Sequence, residues 1–266
     1  MNQPNYYEMI GFQTGHAEPQ HGAPEPPDLN RAVFFIDFDG TLVDIADRPD
    51  AVSVPGDVRE LLRYLHDRTD GATVVVSGRR MADLEKFLPD FTGMIIGSHG
   101  AERREGGTHW QHEAKGSKEL ECIRKMVRTW AESEPDVLLE EKPCSVVLHF
   151  RQAPDRMAEA DRFLRSVVEH NKGFMLHHAK MALEVHPDDV SKRNAVAPLM
   201  DRWSKRRPIA FGDDATDEGV FDAVNRRGGL CIKVGPRETC ANFRLDGPED
   251  VRDTLRKWLQ TEPAGV

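Results

Sequence analysis

The chain has 266 residues, with 36 Lys and Arg against 45 Asp and Glu and a formal charge of -9. That length supports one large domain plus a smaller one, and the acidic balance argues against nucleic acid or an anionic membrane as partner. The four cysteines, Cys122, Cys144, Cys231 and Cys240, lack the spacing of a zinc site or a redox dithiol, so reduced and mostly buried thiols are expected.

Residues 1–30 are rich in Pro, Gln, His and Gly without an apolar period and read as a flexible tail, with order beginning at Arg31. No basic region followed by an apolar stretch opens the chain, and no segment nears the roughly 20 apolar residues of a membrane span. A cytoplasmic protein is the expectation. "AVFFID" reads as a buried strand, and "PGDVRELLRYLHDR" as a helix with Pro55 at its start and Val58, Leu61, Leu62 and Leu65 on one face. "ATVVVSG" is a second buried strand, "RRMADLEKFL" a helix, and "GMIIGSHG" a third strand ending in a loop.

The middle has another rhythm. "SKELECIRKMVRTWAE" is an amphipathic helix, followed by the strands "DVLLEE" and "SVVLHFR". "PDRMAEADRFLRSVVEH" is a second helix, and "GFMLHHA" with "MALEVHP" makes a hairpin. Helix, strand, strand, helix, strand, strand describes an α+β module inserted at about residues 107–183. Beyond it "SKRNAVAPLMDRW" is a helix, "RPIAFGDD" a strand, "ATDEGVFDAV" a helix, "GGLCIKV" a strand and "PEDVRDTLRKWL" a closing helix. Buried strands alternating with helices imply a parallel sheet covered on both faces, which binds ligands at the C-terminal ends of its strands.

Those ends carry the polar strings. Asp37 and Asp39 close "FFIDFDGTL", and alternation puts both side chains on one side of the backbone. Gly40 lets the chain turn, and the Thr41 hydroxyl can anchor the loop or a phosphate. Two carboxylates so close suit a nucleophile and a general acid, provided a cation supplies positive charge. "GDDATDE" offers Asp213, Asp214 and Asp217 at a second strand end, together an oxygen-rich site of the kind Mg²⁺ takes. A helix-capping turn is the alternative reading of either string taken alone, and capping by itself is one reading of Asp217. Ser77 and the backbone of Gly78 precede a helix, where N–H groups favour phosphate. Lys192 lies in a first helical turn, an unfavourable place for a cation unless an anion sits beside it.

DxDGT, then S-G-R, then a lysine, then GDDxxD, in this order, resemble the haloacid dehalogenase superfamily of phosphotransferases over essentially Arg31 to the C-terminus. The resemblance implies a Rossmannoid parallel-sheet α/β core at residues 31–106 and 184–266, with an α/β cap at 107–183. It implies Asp37 as nucleophile, Asp39 as acid and then base, and Thr41, Ser77 and Lys192 in the catalytic set. Magnesium would be held by Asp37, the main-chain carbonyl of Asp39, Asp213 and Asp214. Gly78 and Arg79 would face the substrate.

More specific strings are "PDAV", "VVVSGR", "GSHGAE", "EKPCSVVLHFR", "KMALEVHP" and "GDDATDE". They resemble the trehalose-6-phosphate phosphatase family. On that resemblance Ser98, His99 and Glu102 line the sugar pocket from the core, and Lys142, Ser145, His149 and Glu184 from the cap. Each of these side chains also has a local reading, as a solvated strand-end charge or a satisfied core histidine. The implied substrate is trehalose 6-phosphate, and a trehalose-6-phosphate synthase partner is left open. The alternatives are a phosphatase of sucrose 6-phosphate or another phosphosugar, and a non-catalytic sugar-phosphate-binding domain. This chain departs from the family pattern in carrying His186 where an arginine is usual, with Ser191 and Arg193 around the lysine. His177 and His178 are read as structural.

Overall fold

The computed structural model describes residues 18–46, 52–179 and 181–261. Most of the expected tail (residues 1–17), "PDA" of "PDAV" and Lys180 of "KMALEVHP" lie outside the described residues.

The chain divides into two compact units. The first takes the described residues up to Trp110 and from Ser191 onward, and the second is Gln111–Val190. The inserted module is expected from the sequence at about residues 107–183. The first unit is built on a nine-stranded sheet. Its strands are β1 (Gln20–His21), β2 (Ala32–Asp37), β3 (Thr73–Val76), β4 (Met94–Gly97), β5 (Glu102–Glu105), β6 (Thr108–Gln111), β11 (Arg207–Gly212), β12 (Leu230–Val234) and β13 (Phe243–Leu245). Their order across the sheet is β1-β13-β12-β11-β2-β3-β4-β5-β6. From β1 to β4 the pairs are parallel; β5 returns antiparallel to β4.

Every residue of β2 is buried, and alternation sorts its side chains. Phe34 and Ile36 pack with α1 (Gly56–Arg68), α2 (Met81–Phe87) and α7 (Pro248–Gln260) on one face. Val33 and Phe35 pack with α5 (Lys192–Arg202) and α6 (Ala215–Asn225) on the other. Burying each such side chain contributes about 1.5–3 kcal/mol, which is why the buried strands have no polar alternation.

Residues 18–30 correct the expectation of a tail that stays free up to Arg31. β1 pairs in parallel with β13, Gln20 N–H donating to Asn242 O at 2.9 Å. Trp258 Nε1 donates to Pro24 O at 3.3 Å while its ring packs near Phe34 and Phe211. A Pro-rich segment can be held by its carbonyls and a sheet edge without an apolar period of its own. The hairpin β5–β6, for which no strand was expected, turns on Gly106 and Gly107, both at positive φ. Two left-handed residues are what a tight hairpin needs.

The second unit is a four-stranded sheet, β7 (Leu138–Glu141), β8 (Val146–His149), β10 (Ala182–Pro187) and β9 (Phe174–Ala179) in that order, all pairs antiparallel. Helices α3 (Lys118–Ala131) and α4 (Met157–His170) cover one face. Leu148, Leu183 and Val185 point into that core, so their alternates form the opposite face.

Candidate active site

Parallel registers assemble the first cluster. Asp37 is level with Val76, and Ile36 with Phe211. The residues just beyond, Ser77 on one side and Gly212–Asp213 on the other, therefore flank the end of β2. After Asp37 the chain curls tightly: Gly40 N–H donates to Val43 O at 2.7 Å and Leu42 N–H to Phe38 O at 2.9 Å. Gly40 has φ +75, and a Cβ there would overlap the Asp213 carboxylate. The turn thus needs glycine for its backbone and for the space Asp213 takes.

Lys192, the first residue of α5, is 4% exposed, and its ammonium donates to Asp37 Oδ1 at 2.6 Å and Asp217 Oδ1 at 2.8 Å. The cation at a helix N-terminus has the anions it requires. Burial pushes the Lys192 pKa down, but the Asp217 and Asp37 carboxylates reverse this and hold it above the ordinary lysine value. Burial raises Asp37 well above the ordinary carboxylate range; Lys192 pulls it down and Asp217 and Asp213 push it up. Burial, Asp217 and Asp214 likewise raise Asp213 to about 6. Burial is the largest cause for both carboxyls, and their acidic neighbours add to it.

Oxygens of Asp37, Asp213 and Asp217 lie within 4.8 Å of one another. One ammonium against three carboxylates leaves two negative charges. Among the described residues, Asp37 Oδ2 and Thr41 Oγ1 are buried without a hydrogen-bond partner. An all-oxygen donor set, a charge deficit of two and an orphaned carboxylate oxygen fit a hard divalent cation.

Two expectations are corrected here. Asp214 is not in the cluster: it occupies the N-cap of α6, and its carboxylate pairs with Arg237 instead. Asp217 replaces it, three residues into the helix, where it also accepts the Asp214 N–H at 3.0 Å through Oδ2. Its role therefore exceeds capping. Arg79 is expected to face substrate, but in the structure its guanidinium is committed to Asp39, Nε to Oδ2 at 2.6 Å and Nη2 to Oδ1 at 2.7 Å, with Phe87 beneath it at 5.2 Å. The short Asp39 side chain and the fork of Arg79 match bidentately.

The S-G-R loop is held differently from a phosphate-binding helix end. Helix α2 begins only at Met81, whose N–H donates to Glu102 Oε2 at 3.0 Å. Ser98 Oγ donates to the same oxygen at 2.6 Å. Glu102 is thus a buried tie between β5, the Ser98 turn and α2. Ser77 Oγ accepts the Arg79 N–H at 3.1 Å, and Ser77 O accepts the His99 N–H at 3.0 Å. Ser98 and His99 both have positive φ, and the His99 ring sits where a side chain on Gly78 would be. Two consecutive non-glycine residues in that region store strain of the kind found at functional sites.

In the second unit, Lys142, Ser145, His149 and Glu184 share the helix-free side of the sheet. Glu184 is level with Val147 on β8 and His177 on β9. Lys142 Nζ donates to Glu184 Oε1 at 3.3 Å, and Ser145 Oγ to the same oxygen at 2.6 Å. His149 Nε2 and Glu140 Oε2 are 2.9 Å apart. That hydrogen bond holds Glu140 below the ordinary carboxylate range, against burial. Glu140 is a residue the sequence reading missed, although its two-residue spacing from Lys142 puts both on one face. His186 lies on this face too, Nδ1 donating to Pro187 O at 2.8 Å and its pKa lowered by burial, and His177 stands near it at 6.1 Å. His178, one residue on from His177 and level with Leu183, faces the other way and pairs with Asp161 of α4 at 2.5 Å.

A parallel α/β sheet with two aspartates, a serine, a lysine and an acidic loop at its mouth defines a hydrolase of the haloacid dehalogenase superfamily. A family model described as trehalose-phosphatase matches residues 35–249. The chain is 36% identical to a probable trehalose-phosphate phosphatase of Sinorhizobium fredii, over 79% of this chain and 80% of that one. It is 34% identical to the trehalose-6-phosphate phosphatase of Escherichia coli, over 85% and 86%. A crystal structure described as a trehalose-6-phosphate phosphatase related protein matches with a TM-score of 0.72 at 27% identity, over 85% and 96%. The chain belongs to the trehalose-phosphatase family. Among the described residues no helix is long and apolar enough to cross a membrane.

Proposed function

We propose that the chain hydrolyses trehalose 6-phosphate to trehalose and phosphate, with Mg²⁺ as the cation and Asp37 as the nucleophile. The observation that carries this reading is the state of Asp37. It is buried at the C-terminal end of the central strand, oriented by Lys192 through Oδ1, and left with Oδ2 unpartnered. Asp37, Asp213 and Asp217, with the main-chain carbonyl of Asp39, would hold Mg²⁺, which when bound offsets charge on the phosphoryl group and its transition state.

Asp37 attacks phosphorus, the bond from phosphorus to the sugar oxygen breaks, and Asp39 gives that oxygen its proton. An aspartyl-phosphate and trehalose result. Asp39, now ionised, takes a proton from the water that attacks phosphorus next, and the bond to Asp37 breaks to release phosphate. Lys192 stays within reach of the reacting carboxylate throughout and keeps its charge in place. To reach the sugar oxygen, Asp39 must turn an oxygen away from Arg79, which holds both of them. Ser77 binds the phosphoryl group beside it. Lys142, Ser145, His149 and Glu184, joined by Glu140, suit the hydroxyls of a disaccharide because each can make charge-assisted or bidentate hydrogen bonds.

Phosphate release from trehalose 6-phosphate with Mg²⁺, measured beside sucrose 6-phosphate and glucose 6-phosphate, tests the reading. Preferential release from the first, abolished by EDTA, is expected. Release from another phosphosugar alone would overturn the substrate, and release from none by folded, cation-bound protein would overturn the activity.

A further inference from the structure

Behind the acidic loop lies a second buried ion pair that the reaction scheme does not use. Lys233 of β12 and Glu218 of α6 are both fully buried, with Nζ to Oε1 at 3.2 Å. The other residues of β12 are Leu230, Cys231, Ile232 and Val234, so a charge there is out of keeping with its strand. A buried pair of this kind is poor evidence for stability, since apolar residues of similar volume often serve as well or better. Its contacts show another use. Lys233 is level with Gly212, immediately before Asp213, and Nζ also donates to the main-chain carbonyl of Asp214 at 3.3 Å. The second carboxylate oxygen of Glu218 accepts Thr239 Oγ1 at 3.1 Å and Cys240 N–H at 3.0 Å.

A continuous chain of hydrogen bonds thus runs from the backbone of the acidic loop through Lys233 and Glu218 to the segment that follows β12. From that same stretch Arg237 takes the Asp214 carboxylate. We propose that Lys233 and Glu218 are positioning residues for the cation site: they hold the Asp213–Asp214 backbone so that Asp213 meets Asp37 and Asp217. The inference rests on the reading of those three carboxylates as the cation's ligands.

The test is calorimetric titration of the metal-free full chain with Mg²⁺ and Mn²⁺, alongside thermal melts. Variants are Lys233→Met, Lys233→Arg and the double variant Lys233→Met with Glu218→Gln, which leaves no unpaired charge and keeps an acceptor for Cys240. Leu255→Ala in α7, remote from the loop and destabilising, is the control. Loss of outer partners of a metal site typically weakens affinity about 10- to 100-fold. That loss is expected in both Met variants, with most of it regained in Lys233→Arg and none seen in Leu255→Ala. A cooperatively melting double variant with wild-type cation affinity overturns the inference while leaving the cluster intact. If neither Met variant melts cooperatively, the pair is a folding requirement and the positioning role falls. If the wild type binds neither cation, the cluster reading fails first and takes the inference with it.

Discussion

Lys192→Met removes the single ammonium shared by Asp37 and Asp217, which are 5% and 3% exposed. Breaking a buried ion pair by deleting one partner costs about 3–5 kcal/mol, because the remaining charge is left buried and uncompensated. Here two carboxylates are left, so the upper part of that range applies; Met fills the volume and keeps a cavity term from adding to it. For a chain of this size about 1 kcal/mol corresponds to roughly 2–4 °C in Tm, so the metal-free variant melts about 10–20 °C below the wild type near neutral pH. The deficit shrinks as pH is lowered, since protonated carboxyls no longer need the cation, and it shrinks on adding Mg²⁺. Scanning calorimetry of both proteins at pH 5 and 7.5, with and without Mg²⁺, reads all of this. A variant within about 1 kcal/mol of wild type, metal-free at pH 7.5, would refute the claim that Lys192 compensates the site's charge.

Arg79→Lys replaces a bidentate fork by a point charge. Its kcat/KM should fall at least about tenfold for a sugar phosphate, whose leaving oxygen needs the Asp39 proton, and much less for p-nitrophenyl phosphate, whose leaving group does not; equal losses would show that Arg79 does not act through Asp39. Asp217→Asn should weaken cation binding measured by titration about 10-fold or more, while Asp214→Ala chiefly lowers Tm by loss of a helix cap, about 0.5–2 kcal/mol; the reverse ranking would restore Asp214 to the ligand set. The pH dependence follows from Asp213, raised to about 6 by burial and its acidic neighbours. A carboxyl whose folded pKa exceeds its unfolded value adds stability below the unfolded pKa and loses it as pH rises through the folded one. Metal-free Asp213→Asn should therefore out-melt wild type above pH 6 and lose that advantage towards pH 4, and a pH-independent difference would contradict the assignment.

Much of the core was legible because buried parallel strands leave a strong mark. "AVFFID", "TVVV" and "PIAF" have no polar alternation, and the helices between them carry apolar stripes. β5 and β6 left no such mark: "ERRE" and "THWQ" are polar edge strands, and only the Gly106–Gly107 turn announces them. β1 is held by main-chain pairing to β13, which composition does not encode. At the site, Asp37, Asp213 and Lys192 stood out by type and position. The exchange of Asp214 for Asp217 depends on where α6 starts: a residue at the N-cap points out of the helix, and one three residues later points back over its end. The commitment of Arg79 to Asp39 spans 40 residues and needed the folded register of β2 against β3. Lys233 and Glu218 were hidden for a plainer reason, since a single lysine or glutamate in a chain with 36 basic and 45 acidic residues carries no signal of burial.

The central claim is that phosphorus passes through Asp37. Rapid acid quench of enzyme mixed with trehalose 6-phosphate and Mg²⁺, followed by peptide mass analysis, tests it most directly. The account predicts a transient phosphoryl adduct on the peptide carrying Asp37, absent in Asp37→Asn and without Mg²⁺. Trehalose released with no adduct at any time, or an adduct on another residue, would contradict it.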